Sequence, residues 1–520
     1  MKPRTASVAG PLQNGSSSPR WASVPLALMF FLLPAVLLLA TTVRGASENL
    51  QDTPAVVGLT GATRNTVEEI YRDAGEPLLW TAQSRRVSFL QAVASLQSDG
   101  IDVRELRLPD SDDSHLPFSL DVSFTAAVVR AIDLLSGPAT QLPSSGIAPP
   151  APPRAAEVAR AIQSGGLVTL FSSLRPQTAE YQQLRRAYLR YKEAALIEND
   201  ERLDEKAGEI VLGAADPRLS HLARRLELLS RLDGLTMPGD LPEAVKAFQM
   251  RRGLTVDARV GPATLAELNA PLSKLADQIA ANLAAWRQLP RQWPENYVTV
   301  NAASASLEFI ENGALAHTAR VIVGSPAHPT PIFASTIGAV TFNPGWTVPR
   351  SIAVNEILPK LHRQNDYLQR NNFVILGREA DPYGLDINWR TYDASHFRFQ
   401  LHQAAGPKNP LGAVKFEMPN AHSVYLHDTP NQSPFVKAER ALSHGCVRVE
   451  DARALATRLI NSPQVWLERD LERAIADGRT VTVPLLRPMP VYILYFTAFV
   501  ADGALNFRRD IYGRYRASEG

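Results

Sequence analysis

The sequence predicts an α+β multidomain chain: a helical scaffold, a compact three-helix unit, and a β-rich, β-sandwich-like domain carrying a helical capping insertion. Three observations predict it. Apolar residues recur at three- and four-residue spacing through residues 47–275. From about Asn296 the pattern changes to apolar–polar alternation around turn residues. That alternation is interrupted over 350–400 by helical segments and polar loops. A length of 520 residues has room for about three such units.

Residues 1–46 come first. Lys2, Arg4 and Arg20 precede an apolar run, "VPLALMFFLLPAVLLLATTV". The run is long for a signal h-region and just long enough to span a bilayer. A cleaved signal and an uncleaved anchor both fit, and either exports the rest of the chain with its positive charge left inside. No later segment is long and apolar enough to span; "VYILYFTAFV" reads as a buried strand.

Residues 47–218 read as the scaffold. "TVEEIYRDAGEPLLW" and "AEYQQLRRAYLRYKEAALI" carry helical spacing, and the Pro- and Ser-rich stretch at 136–157 between them reads as a linker. No titratable cluster stands out here. Residues 219–275 form the three-helix unit. "LARRLELLSRLDGL" is an amphipathic helix, "LPEAVKAFQMRRGL" is a second ended by Gly253, and a third starts at Pro262. The β-rich domain spans 293–515, with strands expected around 297–324, 336–342, 412–418, 422–428, 445–450 and 491–499. The insertion at 350–400 reads as a lid over a site.

Composition narrows the function classes. The net charge of +2 is too mild to argue for nucleic acid, and no basic run is interleaved with aromatics. A single cysteine, Cys446, forbids an internal disulfide. An exported chain has reason to avoid stray thiols, so the one it keeps is a candidate for chemistry.

Two short stretches carry that chemistry, "VYLHDTP" and "SHGCVRV". On strands, residues two apart share a face, which puts Tyr425 beside His427 and Cys446 beside Arg448. A thiol needs a base or a favouring field to act as a nucleophile. His427, nineteen residues upstream, supplies a base. Arg448 adds positive charge and can hold a substrate carboxylate. Gly445 permits a tight turn that aims consecutive amides at one point, an oxyanion hole. A zinc reading through His427, His444 and Cys446 lacks the usual paired ligand spacing. Cys446 as a small buried hydrophobe is the bland alternative. His402 and His422 read as surface or supporting positions.

Two resemblances follow from these residues. "AVKAFQMRRGLTVDARVGPATLAELN" resembles the three-helix peptidoglycan-binding domain of bacterial wall enzymes, with one departure: Ala258 stands where that family usually has Gly after the Asp. A structural spacer that binds nothing is the competing reading of 219–275. "HDTP…SHGCVRV", together with "VIVGSPAHPTPIF", "TFNPGWTVPRSIAVNEILPKL" and "GPKNPLGAVKFEMPN", resembles the L,D-transpeptidases, in particular their large Gram-negative subgroup.

The resemblance implies Cys446 as nucleophile, His427 as general base, and the backbone carbonyl of Asp428 as the group orienting the imidazole. It implies an oxyanion hole at Ser443, His444 and Gly445, and substrate contacts at Arg448, Tyr425 and Trp346. Trp346 also reads as a core residue. No metal or organic cofactor is expected. The implied partners are peptidoglycan stem peptides, a tetrapeptide donor and an acceptor stem, with glycan at 219–275 and membrane contact only through the N-terminal segment. The implied place is the periplasm of a diderm bacterium, and the implied inhibitors are carbapenems. Hydrolysis, giving an L,D-carboxypeptidase, transfer to another amine, and a non-catalytic wall scaffold remain the alternative functions.

Overall fold

The computed structural model describes residues 61–108, 117–137, 151–198, 202–460 and 468–515. The apolar run at 24–43 lies outside the described residues. Among the described residues no helix is long and apolar enough to cross a membrane.

The first part is helical, as the periodicity predicts. α1 (Gly61–Ala74), α2 (Gln83–Leu96), α3 (Pro117–Ser136), α4 (Ala155–Ser164) and α5 (Leu167–Leu174) bury their apolar stripes in one core. Trp80 anchors it against Phe89 and Phe124. α6 (Ala179–Leu196) starts at Thr178, whose hydroxyl accepts the Tyr181 N–H, and buries Tyr181, Leu184, Ala187 and Tyr191 along one face.

The three-helix unit follows as α7 (Leu219–Leu232), α8 (Leu241–Arg252) and α9 (Pro262–Leu268). Asp240 caps α8 by accepting the Glu243 N–H, and Gly253 ends it in the left-handed region at φ 67°. Ala258 also takes a left-handed φ, 61°, so the turn that usually uses glycine is kept. Its N–H, with that of Asp257, is received by Gln249 Oε1. α10 (Leu272–Arg287) then packs along α6 and leads to the β-rich domain.

That domain is built on β1 (Tyr297–Asn301), β2 (Ser306–Glu311), β3 (Ala314–Gly324), β4 (Phe333–Phe342) and later strands. Between them, β5 (Trp346–Thr347), β6 (Phe373–Ile375) and β7 (Leu401–Gln403) form a small separate sheet. Next come β8 (Val414–Glu417), β9 (Leu426–His427), β10 (Ala441–Ser443), β11 (Val447–Val449), helices α11 (Ala452–Ile460) and α12 (Glu468–Ala476), and β12 (Val481–Leu494). The main sheet runs β10-β3-β11-β9-β8-β4-β12-β1-β2, and β2 pairs back onto β3. The expected layered β-domain is therefore one mixed sheet whose ladder closes on itself. Its core is Val298, Phe309, Val321, Phe342, Phe416, Leu426, Val447, Val491 and their neighbours.

Two local departures from the sequence reading have physical causes. β12 begins ten residues before the expected strand, and its first half holds Pro484 and Pro488, which the register shift between Pro484 and Met489 accommodates. The capping insertion contains helices, as expected, but also the three-stranded sheet of β5, β6 and β7, with its own core of Trp389, Phe397, Leu401 and Leu361. Strands of two or three residues leave too few alternations to read.

The chain ends by returning to the helices. The hairpin β13 (Ala498–Ala501) and β14 (Ala504–Phe507) packs Leu505 and Phe507 into the core with Tyr191 and Phe248. Beneath it Asp233 takes Tyr191 Oη at 2.5 Å and Arg251 at 3.1 Å, with Arg252 at 3.6 Å. Arg252 is fully buried over the Phe507 ring, 4.2 Å from its centroid. A second buried ionic cluster gathers Arg175 and Tyr181 on Asp99. The scaffold thus does hold a titratable cluster, at Asp99, and the one at Asp233 ties Tyr191 of the scaffold to the three-helix unit. The two clusters join residues 18 to 82 positions apart, and no local pattern reports such pairing.

Candidate active site

Neighbouring strands bring the two motif stretches together. β11 runs parallel to β9 with Val447 opposite Leu426 and Arg448 opposite His427. Leu426, Val447 and Val449 point into the core and are fully buried. By alternation the other face carries His427 and Arg448, with Tyr425 and Cys446 one step back. β8 adds to the same face, because Lys415 pairs with His427 in register.

Cys446 ends the turn that leads into β11. Gly445 makes that turn at φ 111°, a region L side chains rarely enter. Ser443 braces it. Its hydroxyl donates to the Cys446 carbonyl at 2.6 Å and accepts the Gly445 N–H at 3.0 Å. Thr330, buried, donates its hydroxyl to the Gly445 carbonyl and receives the Gly324 N–H, both at 2.8 Å. Gly324 has to be glycine, since a Cβ there would lie 2.1 Å from the His328 carbonyl oxygen. The Gly445 amide is thus already engaged, and the turn's remaining candidate oxyanion donors are the His444 and Cys446 amides.

His427 is buried, with 4 % of its surface exposed. Its Nδ1 lies 2.5 Å from the Asp428 carbonyl oxygen, which accepts the Nδ1 proton, and the Leu411 backbone makes a second hydrogen bond to the ring. The Asp428 side chain is held in turn, receiving the Ala413 N–H at 2.8 Å. Burial, then the Arg448 charge, pushes the His427 pKa down to about 3. Burial pushes the Cys446 thiol above its ordinary value, against the pull of Tyr425 and Arg448. The thiol donates toward the Ser423 carbonyl at 4.0 Å. Both groups therefore rest neutral. This arrangement can work by proton transfer from thiol to imidazole as the sulfur attacks, rather than from a standing ion pair.

Tyr425 lies edge-on to His427, 5.8 Å between ring centroids. Trp346, from the base of the insertion, donates its indole N–H toward the Tyr425 hydroxyl. Trp346 also packs on Phe373 of the insertion, so it serves that small core and the site together. His444 points away from His427: its Nε2 pairs with Glu356 Oε1 at 2.9 Å, and its ring lies 4.8 Å from that of His328. Among the described residues no three His, Cys, Asp or Glu side chains gather as metal ligands. His402 lies on β7 of the insertion, beside Thr347, and His422 lies against Phe333.

Sequence reasoning missed three polar residues at this site. Lys415 stands 4.8 Å over the Tyr425 ring and 2.8 Å from Glu417. Glu356 comes from the π-helical turn Ala353–Ile357 of the insertion. Thr330 holds the nucleophile turn from the β3–β4 connection. Alternation in "VKFE" shows that Lys415 and Glu417 share a face. That β8 borders β9 is a non-local fact, and so is the fold of the insertion over β10.

Residues 295–483 match the L,D-transpeptidase catalytic domain family, 65–187 the scaffold domain family, and 239–268 the family described as "Putative peptidoglycan binding domain". The chain is 35% identical over 244 residues to the "Putative L,D-transpeptidase" of Haemophilus influenzae, which is 46% of this chain and 48% of that relative. It thus spans about half the length of the curated relative it matches. Solved structures that align include the Ldtfm-avibactam carbamoyl enzyme, at 12% identity and TM-score 0.19, covering 43% of this chain and 61% of that one. A fused Zn-dependent amidase/peptidase/peptidoglycan-binding protein from Clostridium acetobutylicum aligns at 11% and 0.15, covering 55% and 98%. At those scores neither structural likeness carries an argument.

Proposed function

On the premise that this chain carries an L,D-transpeptidase catalytic domain beside scaffold and peptidoglycan-binding domains, we propose that it forms 3→3 cross-links between peptidoglycan stem peptides through a thioester on Cys446. The observation that carries the reading is the register of β9 and β11. It puts His427 and Cys446 on one polar face, with the His427 Nδ1 against the Asp428 carbonyl, which supports these roles for them.

The reaction runs in two halves. The Cys446 sulfur attacks the carbonyl of the third stem residue as His427 Nε2 takes the thiol proton. The His444 and Cys446 amides hold the developing oxyanion. His427 gives its proton to the departing D-Ala amine, leaving a thioester. An amine of a neighbouring stem then displaces the sulfur, and His427 takes the proton released. Arg448 holds substrate carboxylate, and Tyr425 and Trp346 line the channel under the insertion. Thiol and imidazole account for every proton and bond in this scheme.

The proposed place of action is the periplasm, reached through the apolar segment at 24–43 as signal or anchor, with 219–275 touching glycan. Incubation with a carbapenem and intact-protein mass tests the site. One adduct on the wild type and none on Cys446→Ala is expected. No wild-type adduct, or an equal adduct on the variant, defeats the assignment.

A further inference from the structure

We propose that Thr330 and Tyr512 are positioning residues for the oxyanion hole: the C-terminal tail, through the Tyr512 hydroxyl, sets Thr330, and Thr330 aims the Cys446 amide. This rests on the thioester reading above and deepens it. Tyr512 lies beyond residues 295–483, the stretch that matches the catalytic family.

Four hydrogen bonds make the relay. The Tyr512 hydroxyl donates to the Gly324 carbonyl at 2.7 Å and receives the Thr330 N–H at 3.4 Å. One hydroxyl thus ties together the two ends of the 324–330 connection between β3 and β4. Thr330, with 1 % of its surface exposed, receives the Gly324 N–H and donates to the Gly445 carbonyl, both at 2.8 Å. That carbonyl shares a peptide group with the Cys446 N–H. The group is trans, since the described residues contain no cis peptide, so its C=O and N–H point in opposite directions. Holding the carbonyl toward Thr330 therefore turns the Cys446 N–H the other way, and fixes the direction of a donor that the proposed reaction needs. A hydrogen bond accepted by the carbonyl also polarises the amide and strengthens its N–H as a donor.

The tail is tied down around Tyr512. The Tyr512 ring stacks on Tyr495, just past the end of β12, with centroids 4.9 Å apart and 17° between planes. The Asp510 carboxylate receives the Tyr495 hydroxyl at 2.8 Å, the Tyr515 N–H at 2.7 Å and the Arg514 N–H at 3.1 Å. The Tyr495 hydroxyl in turn receives the Tyr512 N–H at 3.1 Å. A tail that served only to cover the sheet would need the stacked ring and no more. The hydroxyl is the part that reaches Gly324 and Thr330, and cover alone gives it no use.

The test runs two thiol reactions on the full chain at one pH, each followed by intact-protein mass. A carbapenem opens when the Cys446 sulfur adds to the lactam carbonyl, the C–N bond breaks and the nitrogen takes the thiol proton; an oxyanion forms on the way. Iodoacetamide alkylates the same sulfur by loss of iodide, and no carbonyl oxygen gains charge. Cys446 is the only cysteine, so the ratio of the two rates separates oxyanion support from thiol ionisation and access. Thr330→Val is expected to lower the ratio about tenfold to a hundredfold, and Tyr512→Phe about threefold to tenfold, short of the ~10²–10³ lost when a donor is removed outright. Thr330→Ser keeps the hydroxyl and should restore most of the ratio. Tyr515→Phe removes a hydroxyl of the same tail that bonds the Tyr495 carbonyl instead, and should leave the ratio unchanged. The double variant Thr330→Val/Tyr512→Phe should lose less than the product of the single effects, because both act through one peptide group. An unchanged ratio in Thr330→Val or in Tyr512→Phe, an equal loss in Tyr515→Phe, or parallel losses in both rates overturns the relay. Absence of any carbapenem adduct on a wild type that iodoacetamide still alkylates overturns the thioester reading, and the relay with it.

Discussion

The resting site should hold a neutral thiol. The His427 imidazole is pushed from an ordinary 6.5 to about 3, which disfavours imidazolium by on the order of 5 kcal/mol. The Cys446 thiol is raised above 9.0. Moving a proton from that thiol to that imidazole is thus uphill by six or more pKa units, an equilibrium constant of about 10⁻⁶ or less. Attraction between the product charges, taken about 4 Å apart, returns roughly 4 kcal/mol at an effective dielectric of 20, about a thousandfold. The ion pair remains below about one molecule in a thousand. Cys446 is the only cysteine, so thiolate absorbance in the ultraviolet can be read without interference from another thiol. The assay titrates wild type and Cys446→Ser from about pH 5 to 11 and subtracts them, which removes the tyrosines. Thiolate should appear only at a pH above that at which an ordinary cysteine ionises. A full thiolate signal at neutral pH that vanishes in His427→Asn would refute the neutral-pair reasoning.

Three further predictions concern stability. The lowered His427 pKa means the unfolded chain binds a proton that the folded chain refuses, so stability is kept above about pH 6.5 and lost as pH falls toward 3. Wild type should lose on the order of 1 kcal/mol per pH unit more than His427→Asn across that window, seen in urea midpoints of the β-rich domain. Asp233→Asn strands the buried Arg251 and Arg252 and should cost about 3–5 kcal/mol in the helical part, by urea denaturation followed by circular dichroism. Ala258→Gly relieves a left-handed alanine and should stabilise by about 0.5–1 kcal/mol in the same assay; a loss of stability would contradict the turn described here.

How much of this was legible in the sequence depends on the range of the interaction that made it. Helix α8 announces both its ends, Asp240 and Gly253, because caps are local chemistry. Strand alternation put Tyr425 beside His427 and Cys446 beside Arg448, while the joining of the two stretches came from the family resemblance. Closure of the sheet through β2 and β3 could not be read, since nothing in either strand says which edge it meets. The same limit hid Asp99 and Asp233, each buried against arginines supplied by other helices. At the site it hid Lys415 and Glu356, whose relevance depends on β8 bordering β9 and on the insertion folding over His444. Gly445 was singled out as a turn residue. That its amide is spent on Ser443 Oγ, and so withheld from an oxyanion, became visible only with the turn's geometry.

The most direct measurement is mass analysis of muropeptides after incubation of purified disaccharide-tetrapeptides with the wild type and with Cys446→Ala. The account predicts a dimer joined by a 3→3 bond, with release of D-Ala, from the wild type alone. Unchanged tetrapeptides with the wild type, or equal dimer with Cys446→Ala, would contradict it.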